Sequence, residues 1–273
     1  MSEPILSLQN PRVKELVKLR DSARRRRQLS RFPVEGLREL QAGLEADLLF
    51  LESYFCPEFF RRAGETDLLA RLEGAGADLV ELGPDAFRKA AYRQSPDGLL
   101  AVAATRSLDL DEIDLSAAEP PLVLVLDEVE KPGNLGAVLR TASAFGADAL
   151  LLSDPALDFF NPNVTRSSRG LSLGFPVGLG SKEQVHAFLR ENGLRLFGTS
   201  AKRGIPLREA DLAQPAALLL GSEREGLGSF WQERLDQALT IPMPGSADSL
   251  NLAAAAACLT YEAAAQRAAA GSP

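Results

Sequence analysis

The chain has 273 residues, 45% hydrophobic and 25% charged, with a formal net charge of −7, the profile of an ordinary soluble protein of one large or two ordinary domains. No apolar run approaches the roughly eighteen residues of a membrane helix, and the opening MSEPILSLQNPRVK lacks the layout of a secretory signal. Cys56 and Cys258 give neither a metal-ligand spacing nor a disulfide framework, so a cytoplasmic location is expected.

In chain order, residues 10–31 read as a helix with Leu16, Val17 and Leu19 on one side and arginines around the rest. Residues 11–40 hold ten basic and four acidic side chains, net +6, which leaves −13 for the rest of the chain. Such asymmetry marks a basic footprint of the kind that holds phosphate backbones, with Arg24, Arg25, Arg26 and Arg27 at its centre; a solvated helix face is the plainer reading. Phe32–Gly36 reads as a strand and turn, 37–44 as a helix, 48–51 as a strand, 58–74 as helical, 78–82 as a strand, and 85–91 as a helix opened by Pro84. Gln94–Gly98 is a turn and 99–103 a strand, completing a small α/β domain over residues 1–104. The acidic stretch 105–120, ending in Pro120-Pro121, reads as a linker.

A second α/β domain is expected over 121–273. Its strands are 122–126, 149–152, 194–198, 217–220 and 238–241, with a further apolar stretch at 175–179. Its helices are 134–145, stopped by Gly146, and 182–192. A polar loop is expected over 153–174. Strands alternating with helices imply a mostly parallel sheet covered on both faces. The last stretch, IPMPGSADSLNLAAAAACL, is a proline- and glycine-shaped loop followed by an alanine-rich helix, at the least a capped helix start.

Neither a dinucleotide fingerprint nor a phosphate-loop lysine motif occurs, and His186 is the only histidine. Catalysis must therefore use arginine, asparagine, serine, carboxylates and backbone. Three stretches qualify. In Pro132–Arg140 a tight turn after a buried strand leads into a helix carrying Asn134 and Arg140. In Leu220–Gly226 glycines and Glu223 follow a strand end, where parallel sheets bind ligands. The third is the polar knot around Ser249 and Asn251.

Taken together, P-G-N-L-G-x-x-x-R (132–140), L-G-S-E-x-x-G (220–226) and I-P-M…S-L-N (241–243 and 249–251) closely resemble the three motifs of the SpoU/TrmH ribose 2′-O-methyltransferases of the SPOUT superfamily. Residues 166–177 are similar to the segment between the first two motifs, except that Arg169 stands where the family commonly has a small residue. NPRVKELVKLR…RFPVEGLREL and SPDGLLAV resemble the family's auxiliary substrate-binding domain, which is similar to an RNA-binding ribosomal protein.

The resemblance implies a parallel-sheet SPOUT domain with a trefoil knot behind a small α/β RNA-binding domain. It implies a homodimer, S-adenosylmethionine as methyl donor, and ribosomal RNA ahead of transfer RNA as substrate. It places Asn134, Arg140, Glu223, Ser249 and Asn251 at the catalytic centre, and Thr199, Gly221, Ile241 and Leu250 around the cofactor. A non-catalytic RNA-binding protein and a nucleotide-binding oxidoreductase are the competing readings. The retained polar residues argue against the first, and the absent fingerprint against the second.

Overall fold

The arginine-rich opening breaks into two helices in the computed structural model, which describes residues 3–61, 63–200, 204–223 and 225–271. α1 (Pro11–Asp21) is capped by Asn10, and α2 (Ala23–Leu29) by Ser22. Ser22 is extended (φ −121°, ψ 109°) and its Oγ accepts from the Arg25 backbone N–H at 3.2 Å. One capping serine thus divides the single helix expected over 10–31. Val13, Leu16 and Leu19, spaced by three, form the buried face of α1.

β1 (Arg31–Glu35), α3 (Leu37–Glu45), β2 (Phe50–Phe55), α4 (Glu65–Gly74), β3 (Asp78–Glu81), α5 (Pro84–Ala90) and β4 (Leu99–Ala104) follow. The sheet order is β1-β4-β2-β3, with β4 antiparallel to both neighbours and β2 parallel to β3. Alternation along β4 serves two cores. Leu99, Ala101 and Ala103 pack with Phe32, Val34 and Phe50, whereas Leu100 and Val102 pack with the buried faces of α1 and α5. β2 starts two residues later than expected. The helix expected over 58–74 is a 3-10 turn at Pro57–Phe59 and then α4; Arg62, within that stretch, lies outside the described residues.

The second unit contains β5 (Leu122–Asp127), α6 (Pro132–Ala144) and β6 (Ala149–Ser153). The chain then supplies α7 (Pro162–Ser167) to the first unit, which comprises the chain up to Arg106 together with Asp158–Gly174. A polar loop was the expectation for 153–174, but its apolar residues have a core to join. Phe160 sits 4.9 Å, ring to ring, from Phe32, and Leu173 is part of the core around Phe50. A Cβ on Gly170 would come within 2.8 Å of the Ala42 Cβ, so this segment lies flush on α3.

Back in the second unit come β7 (Val177–Gly180), α8 (Lys182–Glu191), β8 (Arg195–Thr199), β9 (Ile205–Pro206), β10 (Ala216–Leu220), α9 (Ser229–Gln232), β11 (Gln237–Thr240) and α10 (Leu252–Ala269). Seven strands in the order β7-β6-β5-β10-β8-β11-β9 pair in parallel throughout. The central strands β5, β6 and β10 are buried along their whole length, as continuous apolar runs require. The acidic stretch 105–120 is more than a linker: Leu115 is buried, and Leu110 and Ile113 pack on the core formed by Val123, Val125, Leu151 and Leu219. At the far end Arg267, on α10, donates to the carbonyls of Pro120, Pro121, Leu212 and Gln214, tying the C-terminal helix to the start of β5.

Candidate active site

A cleft of about 680 Å³ opens at the carboxyl ends of β8, β10 and β11, the edge at which parallel α/β sheets bind ligands. Thr199 ends β8, Gly221 follows β10 and Ile241 follows β11, so three adjacent strands each deliver one expected cofactor residue to this cleft. Leu250, the fourth, lines it from the loop before α10, beside Ser249. Apolar walls from Leu220, Leu239, Ile241 and Leu250 face the Glu223 carboxylate, and the volume suits a nucleoside-sized molecule.

Gly221 owes its identity to its own chain. A Cβ there would lie 2.0 Å from the Gly226 carbonyl carbon and 2.1 Å from the Leu227 nitrogen. The loop between them closes through paired backbone hydrogen bonds, Ser222 N to Gly226 O at 3.1 Å and Gly226 N to Ser222 O at 3.0 Å, with Gly226 at φ +71°. Sequence reasoning ascribes these glycines to close approach by a ligand. The structure shows that the first approach they permit is backbone on backbone. Arg224, at the centre of this motif, lies outside the described residues.

The three motifs touch one another. Lys131, immediately before α6, pairs with Glu223. Asn251 caps α10, accepting from the Ala253 N–H at 2.9 Å, while its Nδ2 lies 3.4 Å from Asn134 Oδ1. Asn134 keeps a buried Nδ2 with no partner among the described residues. A buried amide donor without an acceptor is rare in folded proteins and leaves a donor open to a partner from outside the chain. Asn134 and Asn251 thus meet each other, and Glu223 and Ser249 share the cleft lining, which includes neither asparagine. Arg140 is exposed on α6, makes no contact with these residues, and like Asn134 and Asn251 is absent from the cleft lining. Six residues beyond Asn134, it stands about 9 Å further along the helix and about 240° around it.

The four central arginines separate into two kinds. Arg26 is buried, with Nε 2.7 Å from Asp158 and Nη1 2.9 Å from the Arg20 carbonyl. Arg25 is paired with Glu15 at 2.6 Å. Of the four arginines expected in the RNA footprint, Arg24 and Arg27 are exposed, three residues apart, whereas the buried Arg26 has no free surface to offer a phosphate. Arg26 is internal because the helix period turns it towards Asp158.

Behind the cleft the sequence offered no signal for Asp127. This carboxyl is buried at the end of β5, accepts from Ser153 Oγ at 2.9 Å, and lies 3.9 Å from Lys182 Nζ. The Trp231 indole N–H faces it without reaching hydrogen-bond geometry. Burial pushes the Asp127 carboxyl above the usual aspartate value, against the pull of Trp231, Ser153 and Lys182. Trp231 belongs to α9, next to the cleft residues Leu227 and Gln232. His186 packs 6.2 Å from Trp231 and does not line the cleft.

An all-parallel sheet with a nucleoside-sized cleft at its carboxyl edge, lined by the second and third motifs with the first in contact with both through Lys131 and Asn134, is the architecture of a class of RNA methyltransferases. A crystal structure of an RNA 2′-O ribose methyltransferase superposes with a TM-score of 0.85 at 35% identity, covering 97% of this chain and 100% of that one. The SpoU methyltransferase AviRb from Streptomyces viridochromogenes, in complex with AdoMet, gives 0.85 at 29% identity, covering 95% and 100%. The 23S rRNA (guanosine(2553)-2′-O)-methyltransferase RlmP of Bacillus subtilis (strain 168) is 32% identical over 257 residues, 94% of this chain and 97% of that one. The SpoU rRNA Methylase family model matches residues 121–261, and an MRM3-like substrate binding domain matches 10–101. The chain belongs to the SpoU rRNA methylase family.

Proposed function

We propose that this protein methylates a ribose 2′-hydroxyl of ribosomal RNA with S-adenosylmethionine as donor, working as a homodimer in the cytoplasm. The observation that carries the reading is the contact of Asn134 with Asn251, which joins the first motif to the third, whose Ser249 and Leu250 line the cleft, with the Asn134 Nδ2 buried and unpaired among the described residues. An amide donor so placed suits a ribose or phosphate oxygen. The apolar walls of the cleft suit an adenine ring, and Glu223 suits a cationic centre. When bound, the cofactor supplies an electrophilic methyl on a sulfonium, and the chain's own task is orientation.

In this assignment Thr199, Gly221, Ile241 and Leu250 hold the cofactor, and Ser249 and Asn251 orient the ribose. Arg140 binds the adjoining phosphate and stabilises the developing alkoxide. A guanidinium is effectively always protonated, so it acts by charge rather than as a base. Because Arg140 is exposed and off the cleft within one chain, its participation goes with the dimer. α6 and α10 pack on each other and leave Arg140 and Tyr261 exposed, and we assign that face to the second copy. The position of β11 between β8 and β9, both earlier in the chain, supports the trefoil knot.

Incubation of the purified protein with methyl-labelled S-adenosylmethionine and transcribed ribosomal or transfer RNA tests the reading. Ribose-linked label in ribosomal RNA is expected. Label confined to transfer RNA overturns the substrate, and no label in either overturns the activity.

A further inference from the structure

The first unit presents a second cluster, away from the arginine run. α7 and the residues after it are seated on that unit by Val164, Thr165, Ser168 and Gly170, all buried, while Arg166 and Arg169 between them are exposed. The seat is fixed. Ser168 Oγ donates to the Thr165 carbonyl at 3.1 Å and accepts from the Ser172 N–H at 3.2 Å, and the Gly170 N–H donates to Thr165 O at 2.9 Å. Arg169 is held at φ +56°, a conformation a branched or long side chain adopts only when its surroundings impose it. Among the described residues neither Arg166 nor Arg169 has a hydrogen-bonded or carboxylate partner for its guanidinium.

Beside Arg166 is Tyr92, 37% exposed, with the Arg166 guanidinium carbon 5.8 Å from its ring centroid. The ring's backbone is as firmly held as the arginines'. The Tyr92 N–H donates to Glu35 Oε2 at 2.6 Å, and the neighbouring Arg93 spends its guanidinium on Glu39 at 2.8 Å and on the Glu35 carbonyl at 3.1 Å. A half-open aromatic face with the Arg166 guanidinium over it, and Arg169 exposed three residues further along the chain, has the two elements that bind a single-stranded nucleotide, a stacking surface for the base and positive charge for its phosphates, while Glu35, which lines the same hollow, is engaged by the Tyr92 N–H.

We propose that Tyr92, Arg166 and Arg169 form a site for one unpaired nucleotide of the RNA substrate, with the base stacked on the Tyr92 ring and the flanking phosphates held by the two arginines. This rests on the reading above that the chain acts on RNA. It gives the segment between the first two motifs a task in substrate holding, and it makes Arg169 a contributor where a small residue would add no charge.

The test uses the full chain and a short single-stranded RNA oligonucleotide, with a duplex of the same sequence alongside. Tyr92→Ala should weaken single-strand binding by about 5- to 160-fold, the range for loss of one stacked base. Tyr92→Phe should bind within about twofold of wild type, since it keeps the aromatic face. The Arg166→Ala, Arg169→Ala double variant should lower the slope of log affinity against log salt by about 1.4, two single-strand phosphates' worth. S-adenosylmethionine affinity should stay unchanged in all three. Single-strand binding by Tyr92→Ala equal to wild type overturns the proposal and leaves the methyltransferase reading standing, whereas a wild-type protein that binds no RNA overturns both. A 5-iodouridine-substituted oligonucleotide, photo-crosslinked to the wild-type protein, reads the same site without any variant. Attachment at Tyr92 supports the site, and attachment only at distant residues overturns it.

Discussion

Asn251 joins the third motif to the first: one atom of its side chain caps α10 on the Ala253 N–H at 2.9 Å while the other lies 3.4 Å from Asn134 Oδ1. The two tasks separate by substitution. Asn251→Asp keeps an acceptor for the cap but loses the donor to Asn134, so it should retain stability and lose most methyl transfer. Asn251→Ala should lose methyl transfer and about 1 kcal/mol of stability as well. Thermal denaturation and single-turnover methylation of both variants check the separation.

The second motif should tolerate no side chain at its first glycine. Gly221→Ala sets a methyl group 2.0 Å from the backbone of Gly226, a clash only movement of the loop relieves. Destabilisation of about 3 kcal/mol is expected, with cofactor affinity falling further than for an alanine at the exposed Gly228. Calorimetric titration with S-adenosylmethionine, with denaturant unfolding in parallel, measures both.

The arginine run should divide into structural and surface members. Arg26→Ala removes a buried guanidinium and leaves the largely covered Asp158 with only the Phe160 N–H, and should cost about 3 kcal/mol. Serine at both Arg24 and Arg27 should leave stability within about 0.5 kcal/mol of wild type. If these two contact single-stranded phosphates, the salt slope of RNA binding should fall by about 1.4. Urea unfolding and salt-dependent binding distinguish the two sets.

Asp127 should be visible through the chain's single tryptophan. Its folded-state value lies above the aspartate reference of 3.8 because burial favours the neutral form. The stability this group contributes is therefore fully present below about 3.8 and is lost as pH rises through the raised folded value. Ser153, Lys182, Glu128 and Trp231 are the groups that act on it. A fluorescence titration should show a Trp231 transition above the ordinary aspartate value, abolished in Asp127→Asn, whose stability should also change less with pH over that window. A transition that persists in Asp127→Asn belongs to another group.

The three motifs were legible in the sequence because each pairs a strand end with a glycine or proline turn and short polar residues, a pattern local enough to read. The alternation in β4 and the apolar runs of β5, β6 and β10 announced the sheets for the same reason. What escaped depends on contacts distant in sequence. Arg26 differs from Arg24 through the carbonyls of Leu19 and Arg20 and through Asp158, 132 residues away. Asp158–Gly174 joins the first unit because Phe32 and Ala42 offer it a surface. Asp127 acquires its environment from Ser153, Lys182 and Trp231, on three later stretches. β9, two residues long, is held by pairing with β11 and carries no periodicity of its own.

The central claim is ribose methylation of ribosomal RNA at a site built around Asn134, and a map of 2′-O-methyl groups in total RNA tests it most directly. Cells lacking the protein should lose one ribosomal RNA methylation, restored by the wild-type chain and not by a stably folded Asn134→Ala variant. An unchanged ribosomal RNA map, or full restoration by Asn134→Ala, would contradict the account.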